Sequence, residues 1–212
     1  MQQRTLQIAT MRGTARPAPV ERRTIRVTVR IETSRLLIRP FREEDGEAWL
    51  SLVNNADVNR YLPGDGEAVT LDDFRQALER RVNSEREAGY AMWAVDRRDT
   101  GEFVGQCGLY LSEKKGPEIE LAYHYLPATW GHGYATEAAR VVLGYAFGTL
   151  RLDEVIALVM RGNTGSSRVA EKAGMRLVTD EATYYDLPHL QKYALTRVEW
   201  QRLGTASQPG LI

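Results

Sequence analysis

Two glycines, one residue apart, stand where an apolar helix is about to begin, in the stretch Trp130-Gly131-His132-Gly133-Tyr134-Ala135-Thr136-Glu137. Glycine lets a backbone adopt conformations closed to other residues and lets a ligand come close to it. The first N–H groups of a helix lack partners within the helix, and the helix dipole favours negative charge there, above all phosphate. A chain with this stretch has to build a tight turn into a helix, with an anion seat at its start.

The rest of the composition narrows whose anion it is. A chain of 212 residues suits one domain with a sizeable core. Its 28 basic and 28 acidic residues balance, so no global charge draws it to nucleic acid or to an anionic membrane. The single cysteine, Cys107, excludes an internal disulfide framework and a cysteine-based zinc cluster, and the three histidines show no ligand spacing, so no metal is expected. A reducing, cytoplasmic location is expected, and no apolar run approaches the roughly 18 residues of a membrane span.

Residues 1–30 are rich in arginine, with Glu21 as their one acid and a Pro-Ala-Pro break. They read as a flexible extension, the alternatives being a transit segment or an RNA-binding arm. Residues 31–203 read as the folded domain and 204–212 as a tail. In "IETSRLLIRPF" Leu36 and Ile38 share one face of a strand. Helical patterns follow at about Asp45–Leu52, Val58–Leu62 and Leu71–Arg86. "YAMWAVDRRDTGEFVGQCGLYL" then reads as two strands about an Asp-Thr-Gly turn, and "EIELAYHYL" as a third strand of an antiparallel meander. After Pro127 come a helix over Gly133–Gly148, a buried strand "EVIALVM", a helix over Thr164–Ala173 ended by Gly174, two strands at "MRLVT" and "QKYALT", and a final helical turn or two over Val198–Leu203. The outline is α+β.

A P-loop needs Gly-Lys-Ser/Thr, which "GHGYAT" lacks. A dinucleotide turn needs a third glycine, where Thr136 stands, and an acid at the far end of the next strand. Asp153 and Glu154 stand at that strand's beginning. Three stretches in order, "ETSRLLIRPFREED", "AYHYLPATWGHGYATEA" and "NTGSSRVAEKAGM", resemble the GNAT superfamily of acetyl-CoA-dependent N-acetyltransferases, above all its Rim-type branch, which includes ribosomal-protein N-terminal acetyltransferases. The resemblance covers about Ile31 to Leu203. It implies the GNAT fold, a mixed and mostly antiparallel sheet flanked by helices, and it implies that Gly131, His132, Gly133, Tyr134, Ala135 and Thr136 seat the coenzyme A pyrophosphate. The superfamily usually opens this turn with Gln or Arg; here that slot is Trp130, so that contact is not carried over.

Acetyl transfer to an amine needs an uncharged nucleophile, a stabilised oxyanion and a thiolate that can leave. An α-amino group, with a pKa of about 7.7–8.0, asks little of a base, whereas a lysine-type amine at about 10.4 asks more. Glu118 and Glu120 share a strand face, with Tyr110 a neighbour if its strand pairs alongside. By the resemblance, Glu120 is the candidate base and Glu118 the alternative, and backbone N–H groups from Tyr123 to Leu126, with Tyr125 and Leu126 chief among them, hold the thioester carbonyl and the pantetheine arm. Asn163 and Ser166 read as ordinary capping residues. The resemblance adds that Asn163 contacts the coenzyme arm and that Ser166 lies near the leaving sulfur. Many GNAT proteins carry a tyrosine acid further along this helix, where Ala170 stands here. That leaves Ser166 as the candidate donor to the thiolate. Cys107 reads as a small buried hydrophobe, His124 and His132 as surface residues, with His132 near a coenzyme phosphate.

The resulting expectation is direct transfer from acetyl-CoA to a primary amine, on a protein or peptide N-terminus or on a small molecule such as an amino acid, polyamine or aminoglycoside. The alternatives are a non-catalytic acyl-CoA-binding module and an RNA-associated protein, and both a monomer and a homodimer stay open. The acceptor is expected to meet the region Asn54–Asp65 and the last hairpin, where Tyr184 and Tyr185 line a cleft or pack the turn.

Overall fold

The structure is a computed structural model that describes residues 29–62, 67–114 and 116–206. The extension and tail read from the sequence fall almost wholly outside the described residues, as does part of the region Asn54–Asp65. At the two edges the folded part reaches further than the sequence suggested. Val29 is buried and donates its N–H to Glu85, and the last helix runs to Ala206.

Eight strands form one sheet: β1 (Ile31–Glu32), β2 (Leu36–Arg39), β3 (Met92–Arg97), β4 (Phe103–Leu111), β5 (Ile119–Tyr125), β6 (Glu154–Val159), β7 (Arg176–Tyr184) and β8 (Leu187–Thr196). Their order is β1-β2-β3-β4-β5-β6-β8-β7, and every neighbouring pair is antiparallel except β5 with β6. The helices are α1 (Gly46–Val53), α2 (Ala56–Asn59), α3 (Leu71–Ala88), α4 (Tyr134–Gly148), α5 (Thr164–Lys172) and α6 (Arg197–Ala206). The expected elements are present, with one split. "IETSRLLIRPF" forms two short strands rather than one, because the Thr33 hydroxyl accepts the N–H groups of Arg35 and Leu36 and folds the chain back so that Ile31 pairs with Ile38.

Alternation along the strands divides the core in two. Trp93, Cys107, Leu109 and Leu121 face α4 and α5, where Ala138, Ala139, Val142, Leu143, Ala146 and Phe147 form the buried stripe of α4. On the other face Ala94 meets Phe41, Trp49 and Val53, with the Phe74 ring of α3 tilted at 45° against Trp49, centroids 5.4 Å apart. Helix α3 begins with a Thr70–Asp73 capping box and ends at Gly89 with φ 79°. The β3–β4 pair leaves no room for a side chain at Gly108, where a Cβ would lie 2.1 Å from the Ala91 carbonyl oxygen.

One charged cluster lies inside this second core. Arg39 bridges Asp45 at 2.7 Å and Asp96 at 2.6 Å, and all three residues are under a tenth exposed. The bridge ties β2, β3 and the start of α1 together. Truncating one partner leaves uncompensated buried charge, a loss of about 3–5 kcal/mol. Arg39→Met is therefore expected to lower the melting temperature at pH 7 by roughly 6–15 °C, with the deficit shrinking at pH 4 as the freed carboxylates protonate. An equal deficit at both pH values would show that packing, not charge, carries the loss.

Candidate active site

Gly131 and Gly133 both take positive φ, 81° and 79°, so both need glycine, and Gly133 is the N-cap of α4. No side chain caps this helix, and its first backbone bond runs from Glu137 N to Gly133 O. The N–H groups of Tyr134, Ala135 and Thr136 thus have no acceptor among the described residues, and the dipole points positive into the same place. His132 stacks on Tyr134 at 5.6 Å. Beside the turn opens a cleft of about 450 Å³ whose lining includes Arg35, Thr136, Arg140 and Lys172. Arg35 reaches there from the β1–β2 turn, donates to the His132 carbonyl at 2.9 Å and pairs with Glu137 at 2.6 Å. Three cations against one acid make the cleft a basic cradle continuous with the unpartnered helix start, a donor set that fits a polyphosphate.

The end of β5 is the second part of the site. The pairing of β5 with β6 is reduced to one register point, Glu120 with Ile156. Leu126 N donates to Val104 O at 3.1 Å, so ladder alternation turns the peptide groups of Tyr123 and Tyr125 away from β4 towards the gap before β6. The Trp130 indole caps the Tyr125 carbonyl at 2.8 Å. Across the gap, the Asn163 side chain accepts Ser166 N at 3.1 Å and so caps α5. The Tyr123 hydroxyl donates to the Ser166 carbonyl at 2.8 Å and lies 3.2 Å from Ser166 Oγ. Burial pushes the Tyr123 phenol up, so it stays protonated and donates to the Ser166 carbonyl.

On the opposite sheet face Glu120 is 4% exposed and accepts the Tyr185 hydroxyl at 2.7 Å, while Tyr110 stands directly opposite it in the β4–β5 register. Burial raises its carboxyl above the usual range, partly offset by the hydrogen bond from Tyr185. Glu118 is held instead by Lys192 and by Tyr184, whose hydroxyl donates at 2.6 Å. Partial burial pushes its carboxyl up, but the hydrogen bonds from Lys192 and Tyr184 and the charge of Lys192 together outweigh it and lower the carboxyl. Two neighbouring glutamates thus differ in role by environment: Glu118 is a paired surface acid, and Glu120 is a buried carboxyl whose proton affinity lies closer to neutrality.

A sequence model of the acetyltransferase (GNAT) domain family matches residues 35–176. The chain belongs to the GNAT acetyltransferase family. The uncharacterised protein YkkB of Bacillus subtilis is 36% identical over 151 residues, which cover 69% of this chain and 84% of that one. A GNAT-family acetyltransferase from Bacillus anthracis superposes with a TM-score of 0.68 at 27% identity, over 80% of this chain and 99% of its own. The FsC-acetyl coenzyme A-N(2)-transacetylase of Aspergillus fumigatus is 29% identical over 194 residues, 85% of this chain and 81% of that one.

Within this GNAT domain the residues singled out from the sequence gather around the β5–β6 gap. Gly131 to Thr136 form the turn at its mouth, Asn163 and Ser166 lie on its far side, and Tyr125 offers its backbone, since its side chain is buried. Leu126 departs from the expectation that it donates to a thioester: its N–H is spent on Val104. His124 also departs from the surface position expected of it. It turns inward onto Gln106, whose Oε1 accepts from Trp49 and Arg81, so the amide nitrogen faces His124 Nδ1 at 2.9 Å. Burial, with Arg81 nearby, pushes that imidazole down to about 4. Cys107 is fully buried with its thiol pushed up, as a packing residue would be. The Tyr123 hydroxyl, Arg35, Arg140 and Lys172 were not anticipated. Alternation could have placed Tyr123 on the α5 face, but no local signal joins Arg35 to a helix 97 residues away in sequence. Among the described residues, no group of three His, Cys, Asp or Glu side chains could hold a metal ion, and no helix is long and apolar enough to cross a membrane.

The raised Glu120 pKa has a stability counterpart. The folded protein binds this proton more readily than the unfolded chain, so the stability Glu120 contributes is present at low pH and lost as pH rises through its folded pKa. Glu120→Gln is therefore expected to gain on the parent in melting temperature between pH 4.5 and pH 8. A difference between the two proteins that stays constant over that range would count against a buried, raised carboxyl.

Proposed function

We propose that this GNAT enzyme transfers acetyl directly from acetyl-CoA to a primary amine, with an α-amino group at a protein or peptide N-terminus as the acceptor class. The carrying observation is the buried Glu120, a carboxyl with raised proton affinity on the sheet face opposite the coenzyme-arm contacts at Tyr123 and Ser166. A base so enclosed suits an amine that already arrives largely neutral, as an α-amino group does near pH 8. The resemblance of the three motifs to the Rim-type branch supports the same class.

In this reading Gly131, His132, Gly133, Tyr134, Ala135 and Thr136 seat the pyrophosphate on unpartnered N–H groups, with Arg35, Arg140 and Lys172 adding charge. Peptide N–H groups of Tyr123 and Tyr125 face the gap and are positioned to stabilise the oxyanion. Asn163 spends its side-chain oxygen on the α5 cap, which leaves its amide N–H groups for the coenzyme arm. Ser166 Oγ, which donates to the Tyr123 hydroxyl in the free protein, rotates that proton to the departing sulfur. Ala170 supplies no acid, and a thiol with pKa near 8.5 leaves tolerably without one. Glu120 accepts the proton the amine loses. No metal takes part in these steps.

A second reading has its own support: the FsC-acetyl coenzyme A-N(2)-transacetylase aligns over 85% of this chain, which favours a small amine as acceptor. Acetyl-CoA-dependent thiol release, measured side by side with peptides bearing free N-termini and with amino acids, polyamines and aminoglycosides, separates the two. Turnover confined to peptides is the expected result. Turnover confined to small amines would transfer the assignment to the second reading, and acetyl-CoA binding without release on either set would leave a coenzyme-binding module.

A further inference from the structure

The carboxyl assigned as base cannot be reached by a substrate as the chain is folded. Glu120 is 4% exposed, while the partly exposed Tyr185 covers it and donates its hydroxyl proton to Glu120 Oε2 at 2.7 Å. We propose that Tyr185 is the residue that meets the acceptor amine, and that its hydroxyl relays the amine's proton to Glu120. The inference rests on the acetyl-transfer reading above.

The tyrosine is fixed for this purpose. It sits at the tip of the β7–β8 hairpin, where Tyr185 and Asp186 both take positive φ, 55° and 58°. Its own N–H donates to Glu113 Oε1 at 2.8 Å, and the Glu113 N–H donates back to its hydroxyl at 3.0 Å. These bonds latch the hairpin tip onto the end of β4 and hold the phenol oxygen in one place. A phenol oxygen has one proton to give and two lone pairs to accept with. Glu120 takes the proton and Glu113 N–H one lone pair, while the buried Tyr110 hydroxyl lies within hydrogen-bonding reach of both Tyr185 and Glu120; with the Tyr110 proton on Glu120, the second lone pair of Tyr185 receives an ammonium N–H. The other acids and phenols nearby are otherwise committed. Glu118 is paired with Lys192 and Tyr184, and Tyr123 points to Ser166 on the far face of the sheet. Tyr110 stands opposite Glu120 across β4 and β5 and shares its hydroxyl between Glu120 and Tyr185.

The atoms balance without a co-reactant. An ammonium proton moves to Tyr185 Oη as the tyrosine's own proton moves to Glu120 Oε2, so the phenol is never left charged. The freed amine forms the N–C bond to the acetyl carbon, and the C–S bond breaks to release the coenzyme thiolate. Of the two protons lost between ammonium and amide, one ends on that sulfur, and the other reaches water when Glu120 deprotonates.

The test uses the full chain with whichever amine supports thiol release. Tyr185→Phe and Glu120→Gln are each expected to lower kcat at pH 7 by about 100-fold or more, a size typical of general-base loss. Their double variant falls no further than either alone, because the two act as one unit. Both deficits shrink as pH approaches the acceptor's own pKa, where the amine needs no base. Melting temperature and acetyl-CoA affinity of each variant report on folding. In the parent, kcat in H2O–D2O mixtures curves downward, as two protons moving together require. A Tyr185→Phe enzyme within threefold of the parent, a deficit independent of pH, or a linear isotope plot overturns the relay while leaving Glu120 as base. A parent without thiol release on any amine overturns the acetyl-transfer reading and the relay with it.

Discussion

The parting of β5 from β6 is the constraint on which the rest of the site depends. These two strands form the one parallel neighbour pair in the sheet, and they share one register point, at Glu120 and Ile156. A sheet normally satisfies every internal peptide group, and leaving some unpaired is costly unless a ligand completes them. Here the N–H groups of Tyr123 and Tyr125 that face the gap lie between the start of α4 and the start of α5, the Tyr125 carbonyl being taken by the Trp130 indole. In the proposed reaction the gap is the slot through which a thioester arm reaches the middle of the sheet, and its mouth is the Gly131–Gly133 turn.

That slot makes the two sheet faces chemically different. On the α4–α5 face stand neutral hydrogen-bonding groups, Ser166 and Tyr123, suited to a sulfur that needs no strong acid. On the other face stands a carboxyl in an apolar setting, with phenols around it and its neighbour Glu118 neutralised by Lys192. In the proposed reaction a thioester in the slot presents its carbonyl to both faces, and nucleophile and leaving group are handled from opposite sides, with a single strand, β5, carrying groups for each because alternate residues point to alternate faces.

The supporting structure shows how such a site is kept rigid. Buried charge at Arg39, Asp45 and Asp96 ties β2 and β3 to α1, while Arg81 lies over the rings of Phe41 and Trp49 at 4.1 and 5.2 Å and shares Gln106 with Trp49. Burial pulls the Arg81 guanidinium down to about 10, still charged at neutral pH. This cation, with the desolvation of its surroundings, keeps His124 neutral, and the Gln106 amide fixes its tautomer with the proton on Nε2. The same sheet face that ends in Glu120 is therefore held by polar groups that leave little freedom of orientation.

Much of this was legible in the sequence because the signals were local. Periodicity placed the helices and strands, glycine placed the phosphate turn, and the i, i+2 spacing of Glu118 and Glu120 put them on one face. Three motifs in order carried the family. Long-range partners were not legible. Which glutamate is buried depends on the β7–β8 hairpin folding over β5, so that Tyr185 covers Glu120 and Lys192 neutralises Glu118. Whether His124 lies inside depends on α3 bringing Arg81 against β4, and the basic cradle depends on a turn around Thr33 that aims Arg35 at α4. Sequence alone determined the elements and the turn, since those follow from backbone preference and spacing, and the kind of chemistry came through the resemblance of its three motifs to a known family. Only the tertiary structure decided which side chains meet and which carboxyl is desolvated, because burial and proton affinity are set by neighbours brought from 65 residues and more away in the chain.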